Sequence, residues 1–220
     1  MGAELIKQSH KFDINFIAPS SEDCDITDKQ SVYENLRSFK GNTVVHAAAL
    51  TDVKGIQAAS MQAIDVNVVG TINIIKSCQK LDKKLVFVST DYVFDGNKGN
   101  YNVTDPINPI SKYAKTKAAA ELLVRMIEES LVIRTSFFGY DFPYDKAPVD
   151  QWSSKDYADV IAPLILKVLK KDKTGIVHIG TDRTTTYEKA KRRKPHVEKV
   201  FLHEIGFGIP RYVSLDGIDK

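Results

Sequence analysis

The sequence predicts an α/β fold in which a parallel sheet is covered on both faces by helices. Short apolar, β-branched runs alternate with longer segments of helical period, the pattern of strands joined by crossover helices. Several runs are apolar on successive residues, as expected when both faces of a strand are buried. The chain has 220 residues, 43% of them hydrophobic and 27% charged. Those values exclude a disordered or fibrous chain and suffice for one domain with a small appended lobe.

The elements follow in order. A helix is expected at 2–10, then a strand at "FDINFIA" (12–18), a helix at 29–39 and a strand at "NTVVHAA" (42–48). A long helix at 55–80 leads to the strand "KLVFVST" (84–90), and a helix at 111–128 to the strand "SLVIRTS" (130–136). A helix at 154–171, the strand "GIVHIG" (175–180) and a helix at 184–193 complete the series. After Gly139 the composition changes to "YDFPYDKAPVDQW", rich in proline and aromatics, which reads as a loop leaving the sheet. The expected division is a core over 1–140 and a smaller cap over 141–220 that returns the strand 175–180 to the sheet. The tail "FGIPRYVSLDGIDK" has no assignable period.

Composition narrows the function. Cys24 and Cys78 are too few for a disulfide framework, and neither they nor the five scattered histidines have metal-ligand spacing, so no metal is expected. A balance of 31 basic against 28 acidic residues gives a net charge of only +3 and implies no nucleic-acid partner. The local run "KAKRRK" (189–194) lacks interleaved aromatics and reads as a solvated helix face. No apolar run reaches membrane-spanning length, and the N-terminus lacks the basic-then-apolar order of a secretion signal. No membrane partner and a cytoplasmic address are therefore expected.

In open α/β sheets ligands bind beyond the carboxyl ends of the strands. The strand 84–90 runs into "STDYVFDG", which places Thr90, Asp91 and Tyr92 at that edge. The strand 42–48 runs into "HAAALTDV", where the small Ala47, Ala48 and Ala49 allow close approach of a ligand to the backbone. In "ISKYAKTKAAAELL" (110–123), Tyr113 and Lys117 are four positions apart and share a helix face. An ammonium beside a phenol pulls its pKa down from about 10, which suits a proton donor to a reacting carbonyl. With the Thr90 hydroxyl to hold the carbonyl oxygen, the three groups suit ketone reduction or alcohol oxidation. Taken alone, the Tyr–Lys spacing fits an ordinary charged helix face better than a reaction centre.

The neighbours change that balance. "VFVSTDYVFDG", an acidic and proline-rich loop, "YAKTKAAAELLV" and "VIRTSFFG" occur in the order that resembles the extended short-chain dehydrogenase/reductase family, with a Rossmann-like doubly wound parallel sheet. Within it the chain is similar to the dTDP-4-dehydrorhamnose reductase (RmlD-like) group. "DCDITD" (23–28), "DVNVVGTINI" (65–74), "VDQWSSKDYADVIAPLIL" and "TGIVHIGTDRTTTYEKAKRR" agree with it. The resemblance implies that Tyr113 is the general acid, that Lys117 lowers its pKa and holds the nicotinamide ribose, and that Thr90 orients the substrate carbonyl. It implies an NADP or NAD cofactor supplying hydride, with Gly2 at its pyrophosphate, Asp25 and Ile26 flanking its adenine, and Ala47, Ala48, Ala49 and Asn67 beside it. Ser20 and Ser21 precede Glu22 after the strand 12–18, which leans the choice toward NADP.

The implied substrate is a 4-keto nucleotide sugar, met by Asp91, Tyr92, Phe94, Gln151 and Trp152. Tyr92 and Phe94 read equally well as core, Asn67 reads equally well as a support for a bent helix, and His178 reads as a satisfied core histidine. Homodimerisation through the helices 55–80 and 111–128 is common in the wider family. The family's first strand and most of its glycine-rich turn have no counterpart ahead of "MGAELIKQSH". The expectation is a late start or a fragment with weak cofactor binding. The alternatives are a pseudoenzyme similar to the regulatory subunit of methionine adenosyltransferase, or a gap filled by another segment or a second subunit.

Overall fold

The computed structural model of the chain describes residues 1–52, 55–56, 60–206 and 208–219. Its centre is a four-stranded parallel sheet of β1 (Thr43–His46), β2 (Lys84–Ser89), β3 (Leu131–Arg134) and β4 (Gly175–His178), in that spatial order. The register pairs Val44 with Leu85, Phe87 with Val132 and Val132 with Ile176. Because side chains alternate across a strand, Val86, Leu131, Ile133 and Val177 meet one set of helices, α1 (Gly2–Ser9) and α6 (Ala158–Leu169). Leu85, Phe87 and Val132 meet the other, α2 (Lys29–Ser38), α4 (Gly70–Lys80) and α5 (Lys112–Val124). The doubly wound, Rossmann-like architecture read from the sequence is the one found.

Local chemistry explains several element ends. Asp28 caps α2 by accepting from Gln30 N at 2.8 Å, and Ser111 caps α5 by accepting from Ala114 N at 3.1 Å. Thr185 and Glu188 form a capping box on α7 (Thr186–Lys191). Pro163 lies inside α6 and has no N–H for the Asp159 carbonyl one turn earlier. That carbonyl instead accepts from Gln8 Nε2 at 3.0 Å, so the proline's missing donor becomes a tie to α1.

Four expectations are corrected. The segment 12–18 is not a strand. Phe12, Ile14 and Phe16 do pack on the core at alternate positions, while Ile17 is 74% exposed. Among the described residues, however, nothing bonds to the outer edge of β1, so this segment has no ladder to join. The long helix expected at 55–80 falls partly on residues outside those described. From Ser60 it runs as α3 (Ser60–Ile64), a π-helical turn (Asp65–Val69) and α4. The helix expected from 154 begins at Ala158, because Asp156–Tyr157 is drawn into a parallel pairing with Phe137–Phe138.

The fourth correction concerns "KAKRRK". Lys189 is 2% exposed and bonds Asp156 at 2.7 Å, Arg193 grips Asp159 through both carboxylate oxygens, and Lys194 pairs with Asp145 at 2.8 Å. The run is an ion-pair seam, not a wholly solvated face.

The tail is ordered by short pairings. Glu198–Val200 lies beside Lys146–Pro148, and Tyr212–Val213 beside Trp152–Ser153, which also pairs antiparallel with Thr184–Thr185. Phe138, Phe142, Ala147, Tyr157, Ala190 and Val197 form a separate apolar cluster beneath these pairings.

Candidate active site

The carboxyl edge of the sheet gathers polar groups from three elements. After β2 the chain turns at Thr90, whose hydroxyl accepts from Tyr92 N at 3.2 Å and donates to Asp91 Oδ1 at 3.3 Å. From the end of β3, Ser136 Oγ also donates to Asp91 Oδ1. Asp91 is 1% exposed, and burial raises its pKa against the pull of these hydrogen bonds and of nearby Lys155. From the first turn of α5, Tyr113 brings its hydroxyl near Thr90, whose side chain acts to lower the phenol pKa. Thr90, Asp91, Tyr92 and Tyr113 thus form one cluster.

Lys117 lies one helical turn beyond Tyr113 on the same face, but its ammonium points beneath the sheet edge. Nζ donates to Val88 O at 2.8 Å and sits 4.1 Å from the centre of the Phe87 ring. Burial lowers its pKa to about 7, with Glu121 acting the other way. The expected lowering of Tyr113 by Lys117 does not occur. Burial and then Asp91 push Tyr113 up to about 12, opposed by the Thr90 hydrogen bond. A buried phenol beside a carboxylate holds its proton, and an ammonium occupied by a backbone carbonyl does little to release it.

The face that carries Tyr113 and Lys117 continues to Glu121, which sequence reasoning passed over although the same four-residue spacing points to it. Glu121 is fully buried and accepts from Arg134 Nη2 at 2.7 Å and from Ser89 Oγ at 2.7 Å. This pair pins α5 to β2 and β3 and so fixes where Tyr113 and Lys117 stand. Ser136 and Lys155 were also missed; a lone serine and a lone lysine in loops carry no spacing signal.

The remaining expected residues divide. Asn67, in the π-helical turn, accepts from Leu50 N at 2.7 Å and donates to Leu50 O at 3.0 Å and to Thr116 Oγ1 at 2.9 Å. Its amide is occupied in tying the strand-end loop to α5. Ala47, Ala48 and Ala49 follow β1 at the carboxyl edge, with Ala48 exposed. Gly2 opens α1 with free space around its Cα. Asp25 accepts from Thr27 N at 2.8 Å, and Ile26 packs against Gly70, where an added Cβ would meet it at 2.8 Å.

Gln151 donates to Tyr92 Oη at 3.2 Å and to Pro210 O at 3.2 Å, and accepts from Thr186 Oγ1 at 2.8 Å. It therefore braces the cluster from the cap side. Trp152 is half-buried under the Arg183 guanidinium, 5.0 Å from its ring. Phe94 has the core position that was one of its two readings: it is fully buried and stacked on Tyr101 at 4.1 Å. His178 is a satisfied core histidine as read: Nδ1 lies 2.9 Å from Asp216 O and Nε2 3.5 Å from Arg134 Nη1. Among the described residues no cluster of side chains could hold a metal ion, and no helix is long and apolar enough to cross a membrane.

Comparison with known proteins bears on the fold and the family. The dTDP-4-dehydrorhamnose reductase of Aggregatibacter actinomycetemcomitans is 34% identical over 167 residues, which cover 74% of this chain and 56% of that protein. Methionine adenosyltransferase 2 subunit beta of Rattus norvegicus is 27% identical over 199 residues, 78% of this chain and 59% of that one. The chain thus spans a little over half the length of these relatives. Among solved structures, the dTDP-4-dehydrorhamnose reductase of Bacillus anthracis in complex with NADP superposes with a TM-score of 0.87 at 24% identity, covering 97% of this chain and 85% of that one. Residues 1–142 match the RmlD substrate binding domain family, and the chain belongs to that family.

Proposed function

We propose that the chain reduces the keto group of a 4-keto nucleotide sugar with NADPH or NADH, as a dTDP-4-dehydrorhamnose reductase does, NADPH being preferred. The observation that carries this reading is the convergence of the Thr90 and Tyr113 hydroxyls at the carboxyl edge of the sheet, with Lys117 buried behind them. The small, partly open Ala47–Ala49 turn and the free space at Gly2 fit a dinucleotide lying along that edge. Lys117 and Tyr113 would hold its ribose, and Asp25 and Ile26 its adenine.

When bound, the reduced nicotinamide supplies the hydride that side chains cannot. Thr90 Oγ1, its single proton turned from Asp91 Oδ1 toward the substrate, and Tyr113 Oη donate to the carbonyl oxygen, and Tyr113 passes its proton to that oxygen as the alcohol forms. A phenol that keeps its proton to about pH 12 is loaded for this step, and developing charge on the substrate oxygen triggers transfer. The short pairings of residues 141–220 outside α6 and β4 would close over the sugar as a cap, braced by Gln151.

The test is turnover of a dTDP-linked 4-keto sugar, with Tyr113→Phe as control. Loss of the proton donor should lower kcat by about 100-fold or more, a far larger change than the weakening of NADPH binding that follows from the lost ribose contact. Failure of the wild-type chain to bind NADPH or to turn over would overturn the reading. A second reading, a regulatory protein that binds a sugar nucleotide or a partner without catalysis, draws on Lys117 being bonded to Val88 O rather than acting on Tyr113. The likeness to methionine adenosyltransferase 2 subunit beta supports it, and binding without turnover would establish it.

A further inference from the structure

Away from the candidate active site, a cluster of charged and polar groups gathers on Glu4, in the first turn of α1. Glu4 is buried and both of its carboxylate oxygens are engaged. Oε1 accepts from Gln8 Nε2 at 2.6 Å, and Oε2 accepts from the hydroxyl of Tyr140. Lys7 Nζ donates to that same hydroxyl at 3.0 Å and stands 4.9 Å from the centre of the ring. The other end of Tyr140 is fixed by Arg193, whose Nη1 donates to the Tyr140 carbonyl at 2.6 Å. Gln8 is anchored in turn on Asp159 O, in the first turn of α6. The clasp joins α1 to the chain where it leaves the sheet.

This clasp holds Glu4 away from the place that a glutamate in its position usually takes. With Met1 as N-cap, Glu4 is the third residue of the helix, from which a glutamate reaches back to the backbone N–H at the N-cap. Two other helices of the chain follow that rule. Glu188 Oε2 accepts from Thr185 N at 3.0 Å at the start of α7, and Glu204 Oε1 accepts from Phe201 N at 2.9 Å at the start of the short helix Leu202–Ile205. In α1 the glutamate is committed to Gln8 and Tyr140 instead, and Met1 supplies no side-chain cap. The first-turn N–H groups and the positive end of the helix dipole are thereby left for an anion from outside the chain.

We propose that Tyr140 is a positioning residue for cofactor affinity: by holding Glu4 against Gln8, it keeps an internal carboxylate from competing with the dinucleotide pyrophosphate for the first turn of α1. The inference rests on the reading that puts the pyrophosphate at Gly2, and it adds the residue that keeps that helix end open. Without the Tyr140 hydroxyl, Glu4 Oε2 loses its donor. The carboxylate then turns to the helix end, where the N–H groups attract it and its charge repels the pyrophosphate.

The full chain is titrated with NADPH, followed by nucleotide fluorescence, as wild type, as Tyr140→Phe and as Tyr140→Phe combined with Glu4→Ala. Tyr140→Phe should weaken binding about fivefold, the order set by one charge at a helix end. Adding Glu4→Ala should return the affinity to about that of the wild type. Rescue separates this role from a structural one, because an α1 displaced by loss of the clasp would not recover when the clasp loses a second member. Thermal melts verify that both variants fold. The inference is overturned if Tyr140→Phe binds NADPH as tightly as the wild type, or if the double variant binds no better than the single one. Either result leaves the pyrophosphate reading standing when the wild type binds. A wild type that does not bind NADPH overturns that reading and the role of Tyr140 with it.

Discussion

β2 and β3 on one side, and β1 with the segment 12–18 on the other, are built from similar residues and reach different ends. "KLVFVS" and "LVIR" are paired on both sides and almost wholly buried, whereas "TVVH" is paired on one side and half-buried until His46. "FDINFIA" keeps the alternation of a strand, with Phe12, Ile14 and Phe16 inward, but forms no ladder. Strand propensity describes a surface that fits a sheet; the backbone becomes a strand only where another backbone lies beside it.

The contrast is quantitative and can be broken from either side. The largest loss should come from Glu121→Ala, which leaves Arg134 as an uncompensated buried charge between α5 and the sheet; about 3–5 kcal/mol of unfolding free energy should disappear in urea titration. Ile133→Ala, at a fully buried position of β3, should cost about 2–5 kcal/mol, while Val45→Ala on half-buried β1 should cost about 1 kcal/mol or less. Equal losses at the two sites would show that the β1 region is packed as firmly as the centre.

His46 is the one fully buried side chain of β1 and gives the comparison a pH axis. Thr71 Oγ1 donates to Asn67 O at 2.7 Å, so at 3.0 Å it is His46 Nε2 that donates to Thr71. Burial, and then the charge of Lys117, lower the imidazole pKa to about 3. The folded state therefore keeps His46 neutral while the unfolded chain takes up a proton below its ordinary pKa of about 6.5. The unfolded state binds more protons, so this contribution is intact above that pH and is lost as pH falls toward 3. Between pH 7 and pH 5 the loss from this residue should be roughly 2 kcal/mol. His46→Asn should flatten that part of the stability profile. The smallest effect is expected at Ile17, where Ile17→Ser should move stability by less than about 0.5 kcal/mol; a larger loss would mean the segment 12–18 is covered in solution.

The sheet was legible because buried parallel strands and amphipathic helices write their periods plainly, as "KLVFVST" and "SLVIRTS" did. The Thr90–Asp91–Tyr113 cluster was legible because two of its members adjoin a strand end and the third begins a helix. The two-residue pairings of the cap were not, since two residues carry no period. The protonation of Tyr113 was misjudged because spacing reports which groups share a face, not which of them a backbone carbonyl has already claimed.

The pairings of residues 210–218 also bear on how the molecule is made. Asn100 and Ser214, 114 positions apart, exchange hydrogen bonds; Leu215 is paired with Tyr101, Ile218 with His178, and Pro210 O receives Gln151. Closing loops of that length is slow compared with forming a helix. The brace behind Tyr92 therefore locks only after these late-translated residues dock, and the sheet should acquire exchange-protected amides well before the cleft takes its final shape. Pulse-labelled hydrogen exchange during refolding would resolve the two phases.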